Sequence, residues 1–130
     1  MAKSVKRVLL GNGPLGAIGA NLYADPKEAG GSFNSREEKT SRPALYVGMD
    51  DVWPGVLETL LHEAFEASAT LRGLRYKSED YAGTEGSVGT TFVMTHDQFT
   101  QVMKEVAGFS ALAIPKVASL HRKLFPKGRK

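Results

Sequence analysis

The sequence predicts an α+β fold, in which a small, mostly antiparallel sheet packs against a helix carrying His62-Glu63-Ala64-Phe65-Glu66 and against a long, kinked C-terminal helix. Three observations predict it. Short apolar runs bounded by Gly, Pro and Asp have the length and composition of strands. Two longer stretches, beginning near residues 52 and 96, place apolar residues at helical spacing. A chain of 130 residues suits one domain that removes roughly two-thirds of its unfolded surface from water, so residues 1–130 are expected to share one core.

Residues 4–10 read as a first strand through Val5, Val8, Leu9 and Leu10, stopped by a glycine cluster. That cluster, Gly11-Asn12-Gly13-Pro14-Leu15-Gly16, matches the G-x-G-x-x-G spacing of a dinucleotide-binding turn. The phosphate-binding mechanism needs a helix directly after it. Gly19, Asp25-Pro26 and Gly30-Gly31 interrupt that stretch, so the expectation is a glycine-rich turn leading to a short strand near residues 20–24. Residues 25–43, polar and without a period, read as a long, exposed, mobile loop.

Ala44-Leu45-Tyr46-Val47-Gly48-Met49 is the clearest strand, followed by Asp50-Asp51 as helix-capping candidates. From residue 52 to 71 the apolar positions Val56, Leu57, Leu60, Leu61, Ala64, Phe65, Ala67 and Leu71 form one wide stripe. Pro54 fits in the first turn, and Gly73 supplies a stop. Trp53 is expected in core packing, with a cleft as the alternative. Residues 78–89 form an acidic, glycine-rich loop, and residues 90–94 a strand. Thr95-His96-Asp97-Gln98 reads as a capping box. The second stripe, Phe99, Val102, Met103, Val106, Phe109, Ala113, Val117, Leu120 and Leu124, is expected to break or kink near Gly108 and Pro115.

Composition excludes several classes. No apolar run reaches the roughly 18 to 20 residues needed to cross a bilayer, and the first residues lack the apolar block of a secretory signal. Membrane partners are therefore not expected, and a cytoplasmic location is. The absence of cysteine removes disulfides, thiolate metal sites and cysteine nucleophiles. Charge is uneven: residues 43–95 hold three Lys/Arg against eight Asp/Glu, whereas residues 96–130 hold seven against two. The basic tail, with residues 126–130 at its exposed end, offers a salt-sensitive contact for nucleic acid or another polyanion.

Chemistry concentrates on the first helix. Residues four apart lie about 40° apart around a helix axis, so His62 and Glu66 project together. An imidazole nitrogen and a carboxylate oxygen so placed can reach one cation, and catalytic zinc takes such donors at about 2.0 to 2.2 Å, typically three of them plus water. Glu63 can then act as the general base toward that water. The third ligand must come from elsewhere, His96 ahead of His121, because His96 stands where a strand meets the second helix. His121, beside Arg122 and Lys123, is expected at the surface. In the other reading Glu58, His62 and Glu66 are simply a polar helix face, with a histidine held between two carboxylates.

Leu60-Leu61-His62-Glu63-Ala64-Phe65-Glu66, entered from a strand and an Asp-containing turn, resembles the active-site helix of small zincin-like metallopeptidases of the H-E-x-x-H type, including bacteriophage-encoded domains. The resemblance covers about residues 44–70. It implies metal binding by His62, catalysis by Glu63, and a cleft beneath an edge strand such as residues 44–49 that holds an extended peptide. Glu66 stands where the family has its second histidine; a carboxylate can ligate zinc, and the change also fits a member that has lost its metal or prefers another divalent ion. The expected function is a zinc-dependent hydrolase, a peptidase or a degenerate relative of one. The alternatives are a non-catalytic binding protein on the same scaffold, such as a phage accessory factor engaging a host protein, and a nucleic-acid-associated module using the basic C-terminus.

Overall fold

The computed structural model describes residues 7–16, 18–50, 52–77 and 90–126. The expected acidic loop at 78–89, the expected start of the first strand at 4–6, Asp51 and the last residues of the tail, 127–130, lie outside the described residues. The elements run β1 (Val8–Leu15), β2 (Ile18–Asp25), β3 (Gly31–Asn34), β4 (Ala44–Gly48), α1 (Trp53–Leu71), β5 (Arg75–Lys77), β6 (Thr90–Phe92) and α2 (His96–Leu124). The fold is α+β. Four strands form one sheet in the order β1-β2-β4-β3, and β5 pairs with β6 in a separate ribbon. The larger sheet is mixed, since β2 and β4 run parallel while β1–β2 and β3–β4 are antiparallel.

The glycine cluster belongs to a strand, which corrects the expected turn. Pairing continues from Val8 to Leu15 across a register shift between Leu9 and Gly11, and Gly11 takes the positive φ of 138° there that side chains rarely adopt. A Cβ on Gly13 would stand 3.7 Å from the Phe109 ring, an ordinary packing distance, so α2 packs directly over this part of β1. The chain reverses at Gly16, whose φ is 70°, and β2 follows where a phosphate-binding helix would have to begin. Two corrections follow for the next segment. The expected loop at 25–43 contains β3, and residues 44–48 are not an edge strand, because β4 lies between β2 and β3.

Alternation along β2 and β4 separates the faces of the sheet. Ala20, Leu22, Ala24, Leu45 and Val47 join the core with Val56, Leu60, Ala64 and Ala67 of α1 and Val102, Val106, Phe109, Ala113 and Val117 of α2. Asn21, Tyr23, Asp25 and Tyr46 occupy the intervening positions. Asn21 donates to Glu37 and to Thr40 at 3.1 and 3.2 Å, which clips the β3–β4 connection onto the outer face. The Tyr23 hydroxyl also bonds to Glu37; that bond and burial push the phenol up to about 12.

The N-cap of helix α1 is Val52, whose side chain makes no capping bond, so the N-cap position itself is not one of the two aspartates. Pro54 lies in the first turn. At the other end Gly73, with φ 75°, gives its N–H to Thr70 O, and Leu74 gives its own to Ala69 O, the paired bonds of a Schellman stop. Helix α2 opens with the expected capping box, Thr95 with Gln98. It runs unbroken through Gly108 and Pro115 to Leu124. The α1–α2 junction is tied by Glu105, which accepts 2.6 Å from Ser68 Oγ and also pairs with Arg72. Burial pushes the Glu105 carboxyl up, yet the bonds from Arg72 and Ser68 outweigh it and hold it below its ordinary value. Because α1 ends at this level, α2 projects beyond it; Phe99 and Met103, expected in the core, are 45% and 41% exposed. Leu124, near the other end, is 37% exposed.

Candidate functional site

Helix α1 presents three rows of side chains to three surroundings. Val56, Leu60, Glu63 and Ala67, spaced i, i+4, i+7, i+11, are all buried. Glu63 is only 7% exposed and lies under the edge strand, since a Cβ on Gly31 of β3 would stand 3.3 Å from its Cγ. The second row, Glu58, His62 and Glu66, faces outward. His62 Nε2 lies 2.7 Å from Glu66 Oε2, with the imidazole 60% exposed. Pro54, Leu57, Leu61 and Phe65 make the third row, beside the second.

The structure therefore brings together two of the four expected site residues. His62 and Glu66 meet as i, i+4 spacing requires. Glu63 belongs to the adjacent, interior-facing row about 100° around the axis. His96 is the first residue of α2 and exposed. Among the described residues no group of three or more His, Asp or Glu side chains could hold a metal ion. The donors that are described do not fit a catalytic zinc site, which typically takes three protein ligands. His121 departs from its surface expectation: it is 5% exposed, with its ring centroid 5.7 Å from Trp53 and 5.0 Å from Phe125. The signal for it was its place four residues after Val117 and eight after Ala113. Phe125, the one aromatic of the basic tail, is thereby packed on the domain, not free to stack on a base.

The third row lines a feature that the sequence did not isolate. Leu57, Leu61 and Phe65, the last also packed against the core, form with Pro54 and Phe92 of β6 the floor of an open groove of about 690 Å³. Phe65 and Phe92 meet edge to face, with centroids 5.4 Å apart, which ties the small β5–β6 ribbon to α1. Glu58, His62 and Glu66 border the groove along one side. Its floor is apolar and its described charged border is acidic. The spacing 54, 57, 61, 65 was visible in the sequence, yet it could not be told from a second buried stripe.

Among the described residues no helix is long and apolar enough to cross a membrane. No protein-family model matches the chain, and neither the curated proteins nor the solved structures contain a match to it.

Proposed function

We propose that this chain is a non-catalytic binding protein whose α1 groove receives an amphipathic, basic segment of a partner protein. The observation that supports this reading is the pairing of an apolar floor, Leu57, Leu61, Phe65 and Phe92, with a border holding Glu58 and Glu66. An amphipathic helix buries its apolar face in such a groove, and Lys or Arg at the edge of that face meets the carboxylates. Leu61 is 38% exposed, so its outer surface is available for burial by a partner. A designed Leu/Lys amphipathic peptide should bind saturably in calorimetry, while the matched Leu/Glu peptide should not. Leu61→Asp should abolish that binding with the melting temperature nearly unchanged. Equal binding of both peptides, or of the wild type and Leu61→Asp, would refute the proposal.

A second reading, the metal-dependent hydrolase, is favoured by one specific observation: Glu63 lies under the edge strand while His62 and Glu66 pair one row away on the same helix. It needs a third ligand from outside the described residues. A rise in melting temperature on adding zinc, lost in His62→Ala, is the result that this reading requires.

A further inference from the structure

The sheet face turned away from the helices holds a second constellation, independent of the α1 groove. Tyr23 and Tyr46 are register partners on β2 and β4, and their rings stack with centroids 5.4 Å apart. Arg7, just before β1, lays its guanidinium over Tyr46 with Cζ 4.1 Å from the ring centroid. Its Nε stands 3.2 Å from Asp25 Oδ1. That oxygen is sealed from solvent and accepts no hydrogen bond, so the arginine meets it at ion-pair distance without hydrogen-bond alignment. The arginine side chain remains 52% exposed, against 13% for Asp25. Next to them opens a cavity of about 560 Å³, bordered also by Glu28, Gly30 and Ser32.

A planar cation on an aromatic face with a carboxylate at its edge is the geometry of guanidinium recognition. Arg7 fulfils it incompletely, being half exposed and misaligned with the buried oxygen. Among the described residues the charges bordering the cavity apart from Arg7 are the carboxylates of Asp25 and Glu28, which favour a cation and oppose an anion. We infer that this cavity binds the guanidinium group of an arginine on a ligand or partner, and that Arg7 is an internal competitor occupying the Tyr46 face in its absence. A tethered competitor acts at a high effective concentration, and it reduces the affinity of the incoming group by the fraction of sites it fills.

The test uses the full chain, its Arg7→Ala and Arg7→Gln variants, and two probes: N-acetyl-arginine methylamide and the neutral citrulline analogue. Titration is followed by the tyrosine ring resonances. The Arg7 variants should bind the arginine probe saturably and roughly tenfold more tightly than the wild type, and Asp25→Asn added to either should remove the binding. The citrulline analogue should not saturate. Arg7→Gln keeps a polar, uncharged side chain in place should Arg7→Ala fold poorly. Equal affinity for the two probes, no gain in either Arg7 variant, or saturation by inorganic phosphate in place of the arginine probe would each overturn the inference.

Discussion

The two halves of α1 carry charge in opposite ways. Near its C-terminus Ser68 and Arg72 are bound to Glu105 of α2, and the same carboxylate crowds the β1–β2 hairpin, where a Cβ on Gly16 would collide with it. One acid there joins three elements. Toward the middle, His62 and Glu66 pair only four residues apart on one helix, beside a groove and not across an interface. The difference teaches that a cluster recognisable in the sequence need not hold the fold, whereas a lone glutamate inside an apolar stripe can. It also separates what can be altered cheaply from what cannot.

The sharpest break of this comparison is Glu105→Ala, which leaves Ser68 and Arg72 without their acceptor and should cost about 2 to 3 kcal/mol in urea unfolding. A loss below about 0.5 kcal/mol, the range of an ordinary surface change, would erase the contrast between the two halves. Glu105→Gln keeps the shape without the charge, and the wild type should exceed it by about 1 kcal/mol at neutral pH. Because the folded carboxyl is held below its ordinary value of 4.5, the charge-dependent stabilisation is complete above that value. It is lost as pH falls through the folded value, so unfolding curves of the two proteins should converge in acid. A gap that persisted there would mean that shape, not charge, accounts for it. His62→Ala should change stability by only about 0.3 to 0.5 kcal/mol, as for other i, i+4 pairs. The smallest expected effect is that of zinc, which should leave the wild-type melting temperature unchanged; a rise that His62→Ala removes would sink the contrast from the other side and restore the metal reading.

Much of this architecture was legible where local chemistry and tertiary packing agree. β4 is five consecutive buried residues, and the Thr95–Gln98 box and the Gly73 stop need only their own neighbours to form. β3 was not legible because, as an edge strand, it turns only Phe33 toward the core, so Gly-Ser-Phe-Asn carries no alternation. The extension of β1 through Gly11-Asn12-Gly13-Pro14 was hidden for another reason. Gly11 takes a positive φ at a register shift in the β1–β2 pairing, while the same residues read locally as a turn. At the candidate site, spacing foretold the His62–Glu66 contact but not the interior position of Glu63. The clue is present in the spacing, since Glu63 follows Leu60 by three and precedes Ala67 by four, which puts an acid in the core row.

The order β1-β2-β4-β3 has a consequence for how the chain is made. The strand that fills the slot between β2 and β3 is the last of the four to leave the ribosome. Until Ala44–Gly48 is synthesised, β2 lacks its parallel partner and β3 its partner among the described strands. A nascent or truncated chain ending near Pro43 would therefore offer unpaired backbone to other chains, the condition under which strands recruit one another. Pro43 already gives its carbonyl to Asn21 N, so the residue just ahead of β4 registers the incoming strand against β2. Early segments of this protein thus find their backbone partners in a later one, and β4 completes the pairing of strands made before it.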